Sequence, residues 1–304
     1  MNQIIEPKIL KGTRDFLPSE MAKRKEVMNK MTRIFERFGY AAIETPIICP
    51  AETILGKYGN EGERLTYNFE TRGGTKIALP FDLTVPFARF VAANYQNLPM
   101  PFKRYQIQRV WRAEKPQKGR LREFYQCDID IIGTKSMICE AEIAKIIVEV
   151  FKELGFEKFK IKINSRRLMN TILKSFQIPE GKIMDAIRAI DKLEKTDEKS
   201  VVRKLCALNI GNGEKILSLL KLGKANTQTL KKLSEYDTSE IKEFMSYCKA
   251  FSVDEYMEFD PSLARGLDYY TGITYEVVSE NVNFGTLCAG GRYDDLCSLF
   301  CEKN

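Results

Sequence analysis

Two stretches of the chain hold residue types at spacings that could do chemistry. Between Lys103 and Gly133, two extended segments flank a charged loop. In the first segment Arg104, Gln106, Gln108 and Arg112 fall on even positions. In the second Arg122, Phe124, Gln126, Asp128 and Asp130 recur every second residue. Alternate residues of a strand share a face. A hairpin here would therefore present guanidiniums, carboxylates, an amide and one flat ring together. Tyr105, Ile107, Trp111, Tyr125, Cys127, Ile129 and Ile131 would form an apolar back. Such a front could hold an anionic, ring-bearing ligand that also carries an amino group. Ordinary half-solvated sheets alternate in the same way, and spacing alone leaves both readings open. The second stretch is Leu263-Ala-Arg265-Gly-Leu-Asp-Tyr269-Tyr270-Thr-Gly272. It sets an arginine, an acid and paired tyrosines between glycines that allow close backbone approach. A tyrosine-rich turn packed on a sheet is the plainer account of it.

These groups need elements to hold them. Val27, Met28, Met31, Ile34, Phe35 and Phe38 repeat at three and four residues, the apolar stripe of a helix, with Pro18 at its start and Gly39 at its end. Tyr40 to Ile48 reads as extended, and Pro46 places it at an edge or a subunit contact. Arg64–Glu70 and Lys76–Phe81 read as a hairpin around Gly73-Gly74. Thr84 is expected to cap a helix that buries Phe87, Phe90 and Val91. Ile143 to Leu154 is amphipathic, and Phe159, Ile161 and Ile163 alternate on a strand. The stretch 169–251 is lysine-rich and broken into short helices at Pro179-Glu-Gly181, Gly211-Asn-Gly213 and Gly223. Strand character returns at Ile273–Val278, followed by a glycine-rich turn at Ala289-Gly-Gly-Arg-Tyr-Asp294 and a last short helix. The expected organisation is a core over 1–168, a helical insertion over 169–251, and the rest of the core over 252–304.

Composition narrows the chemistry. The 304 residues include no histidine, which excludes Ser-His-Asp triads, His-ligated zinc and His acid–base catalysis in this chain. The reaction must rest on positioning and on Arg, Lys, carboxylates and bound metal ions. The formal charge of +7 favours an anionic partner such as nucleotide or nucleic acid. No apolar run approaches the roughly 20 residues that span a bilayer, and the start, Met1-Asn-Gln-Ile-Ile-Glu-Pro-Lys8, lacks the pattern of a signal peptide. The eight cysteines are scattered without a Cys-x-x-Cys pair, as expected of reduced, mostly buried thiols in a cytoplasmic protein with no metal site of its own.

Taken together, the motifs resemble those of the histidyl-tRNA synthetase family of class II aminoacyl-tRNA synthetases. The resemblance runs from Lys11-Gly-Thr-Arg-Asp15 to Gly290-Gly-Arg-Tyr-Asp294. Phe38-Gly-Tyr through Thr45-Pro46 resembles motif 1. Arg112-Ala-Glu114 with Arg122-Glu-Phe124 resembles motif 2. Ala264-Arg-Gly-Leu-Asp-Tyr-Tyr270 resembles the family's histidine-specific signature. The resemblance implies an α+β fold, a class II synthetase-type antiparallel sheet flanked by helices, with a helical insertion. It also implies ATP-dependent activation of L-histidine to histidyl-adenylate, transfer to tRNA(His), and a homodimer built through motif 1. Asp82, Leu83, Thr84, Gln126, Asp130, Tyr269 and Tyr270 would form the histidine pocket with Arg112 and Arg265. Arg112, Glu114, Arg122 and Phe124 would take ATP, with Phe124 stacked on adenine. Arg112 and Arg265 would be the catalytic pair that stabilises charge on the α-phosphate, and Mg²⁺ would bridge the outgoing phosphates. Lys115, Lys118, Arg120 and Arg122 in the loop could meet the acceptor end of tRNA, and the helical insertion could cover its acceptor stem.

Beyond Tyr293-Asp-Asp295 the family continues into motif 3 and an anticodon-binding domain, and Asp295 stands where a glycine is common. The expectation is therefore a catalytic-domain fragment of a longer synthetase. The alternative is a non-catalytic paralogue such as an ATP phosphoribosyltransferase regulatory subunit. Retention of Arg112, Glu114, Arg265 and both tyrosines favours the synthetase.

Overall fold

The computed structural model describes residues 5–117, 119–193, 196–221, 226–265, 268–281 and 285–300. Lys118, Gly223 and Cys301, which figure in the sequence reading, lie outside them. The chain divides into two compact units, Met1–Thr134 with Leu296–Asn304, and Lys135–Asp295.

The first unit opens on helix α1, Pro18–Arg37. Pro18 sits in its first turn, the Glu20 carboxylate accepts the Leu17 N–H, and Gly39 leaves the helix at φ +80°. β1 (Ala41–Ala42), β2 (Cys49–Pro50), α2 (Ala51–Ile54) and α3 (Gly59–Leu65) follow. The expected hairpin is present as β3 (Asn68–Glu70) and β4 (Lys76–Ala78), but Arg64 and Leu65 end α3 instead of starting a strand. α4 spans Thr84–Asn94, with Phe87 and Val91 buried and Phe90 packed beside them against Phe102. Its cap differs from expectation. Thr84 is already helical, and Asp82 Oδ1 instead accepts from the Thr84 and Val85 N–H groups at 3.1 Å each. A carboxylate is the stronger acceptor for the orphan donors of a helix start.

β5 (Phe102–Trp111) and β6 (Glu123–Ile132) form the expected antiparallel pair over their full length, with Arg104 opposite Asp130, Gln106 opposite Asp128 and Gln108 opposite Gln126. β1 joins β5 in parallel. The faces reverse the usual rule. Along β5 the polar side is the covered one: Arg104, Gln106 and Gln108 are 0%, 1% and 7% exposed, while Tyr105, Ile107 and Trp111 are half-buried. Covering so polar a face requires partners, and it has them. Gln106 donates to Thr45 Oγ1 at 2.9 Å, and Gln108 donates to the Thr45 carbonyl at 2.8 Å. Arg104 stacks over Phe87 at 4.4 Å and pairs with Asp130.

The second unit holds α5 (Ile138–Glu153) and β7 (Phe159–Ser165), then α6 (Arg166–Ser175), α7 (Glu180–Ile190), α8 (Glu198–Ala207), α9 (Gly213–Leu220), α10 (Asn226–Lys232) and α11 (Ser239–Ala250). β8 (Met257–Phe259), β9 (Ile273–Ser279) and β10 (Thr286–Gly291) complete a sheet ordered β10-β9-β7-β8, in which β9 runs antiparallel to both its neighbours. Ala289-Gly-Gly291, expected as a turn, instead ends strand β10, with Gly291 opposite Thr274. Glycine is needed there because a Cβ at Gly291 would lie 2.9 Å from both the Ile273 carbonyl and the Tyr270 ring. The α+β class, the antiparallel ladders and the run of helices between sheet strands agree with the sequence reading.

Candidate active site

In the first unit the polar face of β5 and β6 forms a floor. Asp82 reaches it from the α4 cap and is buried. Besides the two backbone donors it accepts the Tyr58 hydroxyl at 2.7 Å. Dehydration outweighs these donors and the nearby Arg112 charge, so the Asp82 carboxyl titrates above the usual carboxylate range. Dehydration, and next the Asp82 charge, push the Tyr58 hydroxyl well above an ordinary tyrosine. Arg104 closes an ion pair with Asp130 at 2.6 Å, both nearly inaccessible to water. Asp128 lies between, half-buried, and burial pushes its carboxyl up to about 7. Arg104 and Arg112 work against that rise, while Asp130 and Asp82 add to it.

Arg112 leaves the end of β5 with its Nε donating to the Phe81 carbonyl at 3.0 Å. Its guanidinium lies 4.4 Å from the Phe81 ring centre and 5.1 Å from that of Phe124. Stacking between aromatic faces leaves the terminal nitrogens of an arginine facing outward as a fork for an anion. Phe124, Gln126 and Asp130 follow along β6 on the same face. Leu83 is fully buried and serves packing, and Thr84 starts α4. Glu114 pairs with Arg120 at 3.4 Å. Arg122 donates to the carbonyls of Glu114 (3.1 Å) and Lys11 (3.3 Å), and the Gly12 carbonyl accepts the Arg122 N–H at 2.7 Å. The Lys11–Asp15 segment is thereby tied to the loop between β5 and β6. Gly12 suits that contact because a Cβ there would lie 2.8 Å from Pro116 and 2.9 Å from Arg122, at a φ of +95°.

The second unit carries Arg265, Tyr269 and Tyr270. Arg265 Nη1 pairs with Glu276 of β9 at 2.9 Å, and Glu276 also accepts the Thr286 hydroxyl at 2.6 Å. Dehydration works against the Arg265 charge, but Tyr270, Glu276 and Asp191 more than offset it and raise its pKa. Buried Asn164 on β7 donates to the carbonyls of Pro261 and Leu263 at 3.0 and 2.9 Å, and Arg166 donates to the Arg265 carbonyl at 2.6 Å. The backbone leading into Arg265 is thus held at three points. The Tyr269 and Tyr270 rings meet edge-on at 5.0 Å, and Tyr269 meets Tyr293 edge-on at 6.1 Å. Arg188 of α7 pairs with Asp268.

Several of these residues carried no signal in the sequence. Tyr58 lies 24 residues before the acid it serves. Asn164 and Arg166 lie about a hundred residues before the loop they hold. Arg104 did leave a trace, because alternation places it on the Asp130 face.

An antiparallel strand pair with an arginine held at its end and an aromatic, an amide and an acid along one face, in an α+β chain with helices between sheet strands, agrees with the class II aminoacyl-tRNA synthetase pattern that the motifs resemble. The family model described as histidyl-tRNA synthetase matches residues 12–304, and the chain belongs to that family. The histidine–tRNA ligase of Treponema denticola is 37% identical over all of this chain and 70% of its own length. That of Clostridium tetani is 40% identical over 99% of this chain and 71% of its own. Among solved structures, histidyl-tRNA synthetase from Nostoc sp. PCC 7120 superimposes with a TM-score of 0.85 at 31% identity, covering 98% of this chain and 71% of that one. A Bacillus halodurans structure described as an ATP phosphoribosyltransferase regulatory subunit/histidyl-tRNA synthetase superimposes with a TM-score of 0.83 over 98% of this chain and 79% of that one. Its 23% identity shows the fold alone.

Proposed function

We propose that the protein activates L-histidine with ATP and transfers it to tRNA(His). The observation that carries this reading is the floor itself: Arg112 held between Phe81 and Phe124, in line with Gln126 and Asp130, inside a chain 37–40% identical to proteins named histidine–tRNA ligase.

In the first step an oxygen of the histidine carboxylate attacks the α-phosphorus of ATP. A new P–O bond forms, the bond to the β-phosphate bridge breaks, and pyrophosphate leaves. Arg112 holds the α-phosphate and the attacking carboxylate together, while Phe124 stacks on adenine and Glu114 meets its edge. Arg265 is assigned the negative charge that builds on the α-phosphate, a task suited to a guanidinium fixed by Glu276 and by the held backbone around it. Asp82, Thr84, Gln126 and Asp130 serve the amino-acid end. Tyr269 and Tyr270 read the imidazole, where polar groups left unpaired by a wrong side chain would penalise it. In the second step the terminal ribose hydroxyl of tRNA takes the aminoacyl group and AMP leaves.

Magnesium is expected with the ATP phosphates. Among the described residues no group of three or more acidic or thiol side chains lies at metal-binding spacing. Magnesium commonly travels with nucleotide phosphates and not in a dedicated protein cage. When bound it would neutralise the outgoing pyrophosphate. The helical stretch 169–251 and the loop bearing Lys115, Arg120 and Arg122 are assigned to the tRNA acceptor end. Homodimerisation through the motif 1 segment is supported by Ile47 and Ile48, 40% and 60% exposed just after Pro46. A cytoplasmic setting fits the scattered cysteines without a Cys-x-x-Cys pair, and among the described residues no helix is long and apolar enough to cross a membrane.

Charging of tRNA(His) with labelled histidine tests this reading. Acid-precipitable product that requires ATP and tRNA(His) supports it. Equal product with another tRNA and its cognate amino acid contradicts it.

A further inference from the structure

The loop that carries Arg265, Asp268, Tyr269 and Tyr270 is held at both ends by Arg166, the first residue of α6. The Arg166 guanidinium donates to the Arg265 carbonyl at 2.6 Å, and its N–H donates to the Gly272 carbonyl at 2.9 Å. The stretch between those ends is gripped from α7. Arg188 pairs with Asp268, which lies between Arg265 and the two tyrosines. Asp185, one turn back along α7, accepts from the same guanidinium at 2.8 Å. A planar guanidinium fixed on two carboxylates keeps one orientation, so it passes the position of the helix on to the loop. The helix is a firm base for this, because Ile183, Ala186, Ile187 and Ile190 are buried.

A second group of α7 acts on the same loop. Asp191 ends the helix three residues after Arg188, and residues at that spacing share one helix face. Dehydration lowers the Arg166 pKa, and the charges of Asp268, Asp191 and Tyr270 oppose that fall. At Arg265 the Asp191 charge works against dehydration beside those of Tyr270 and Glu276. The signs therefore alternate across the contact. A cation of α7 meets the acid of the loop, and an acid of α7 supports the loop's cation. Complementary charges of this kind fix register more than they add strength. The Arg188 and Asp268 side chains are 43% and 31% exposed, and pairs open to water stabilise a fold only weakly. Position is what this contact supplies.

We propose that α7 belongs to the activation site: Arg188 and Asp191 are positioning residues that set Arg265 and the tyrosine pair for adenylate formation, before any RNA is bound. The helical stretch 169–251 then has two tasks, to meet tRNA on its exposed basic surface and to hold the loop that serves the first step. This rests on the reading of the chain as a histidine-activating enzyme. Both residues act through the loop, and neither is assigned a contact with substrate. A shift of about 1 Å in a group that serves the reaction can cost about 10²-fold in rate, so a contact of little worth to stability can matter to turnover.

The test is histidine-dependent ATP–pyrophosphate exchange without tRNA, with thermal unfolding alongside, on the protein, Arg188→Ala, Arg188→Lys, Asp268→Asn and the double variant Arg188→Ala/Asp268→Asn. Arg188→Ala is expected to lower kcat by about tenfold and to raise KM for histidine, while KM for ATP stays within about twofold. Its Tm should move by less than about 3 °C, the scale of a partly exposed pair. Asp268→Asn should match it, and the double variant should fall no more than about twofold below either single one. Arg188→Lys, which keeps a cation, should recover most of the rate. Asp191→Asn should lower kcat with little change in KM for histidine, because it acts on Arg265. If Arg188→Ala keeps kcat within about twofold, or if the single losses multiply in the double variant, the contact does not position the loop and the proposal fails. A rate loss that follows Tm and is not restored by lysine makes Arg188 structural and also overturns it. If the unsubstituted protein shows no histidine-dependent exchange, the histidine-activating reading falls, and this inference with it.

Discussion

Arginine in two different settings frames the residue-scale account. Arg112 is held by one backbone carbonyl and two rings, and Arg265 by Glu276 and a backbone pinned by Asn164 and Arg166. If Arg265 serves the developing phosphate charge, Arg265→Ala should leave histidine affinity within a few-fold and lower adenylate formation by about 10²–10³. Single-turnover rates with calorimetric affinities check this, and equal loss of both would make Arg265 structural. Tyr269→Phe and Tyr270→Phe should narrow the ratio of histidine activation to that of other amino acids, and an unchanged ratio in both variants would reject a reading role. Asp128 adds a prediction about stability. Its carboxyl titrates near 3.8 when unfolded and near 7 when folded, so the folded state holds the extra proton between those values. Its contribution to stability is then present at low pH and declines as the pH rises toward 7. Asp128→Asn should raise Tm at pH 8 and lose that advantage as the pH approaches 4. A Tm gap that grows on acidification contradicts the assignment.

At the scale of elements, the hairpin was legible because Arg104, Gln106 and Gln108, and then Gln126, Asp128 and Asp130, each fall two positions from the next, and the observed register keeps the first three across from Asp130, Asp128 and Gln126. Which face would be covered was not legible. Alternation marks two faces, but Thr45, some sixty residues away, supplies the partners that allow the polar one to be buried. The same distance effect concealed Tyr58 and Asn164. The Asp82 cap was misread because Thr84 looks like a cap by type, while the carboxylate two residues earlier reaches the same donors. Arg104→Met tests how far the floor depends on its buried pair. It would leave Asp130 without its counter-ion, and a loss of about 3–5 kcal/mol is expected. Urea unfolding measures it, and a loss below about 1 kcal/mol, the scale of a surface pair, would mean the pair is not a support of the floor.

Across the whole molecule, the motifs that identified the family are short and separated, and they were readable without the structure because each keeps chemistry-bearing side chains at fixed spacing. The way the chain divides into two compact units, Met1–Thr134 with Leu296–Asn304 and Lys135–Asp295, had no such local signature. The helical stretch presents exposed basic residues, Lys199, Lys215 and Lys231 among them. If it meets the acceptor stem through phosphates, replacing these three by alanine should lower kcat/KM for tRNA and flatten its salt dependence. Pyrophosphate exchange should be unaffected, and equal loss in both assays would argue against an RNA role. The central claim, that this family member selects and activates histidine, is tested most directly by ATP–pyrophosphate exchange with the protein, assayed with each of the twenty amino acids in turn. The account predicts exchange with histidine at least about 10³ above every other amino acid, the discrimination expected of a site that hydrogen-bonds its substrate's side chain. Exchange that is absent with histidine, or matched by another amino acid, would contradict it.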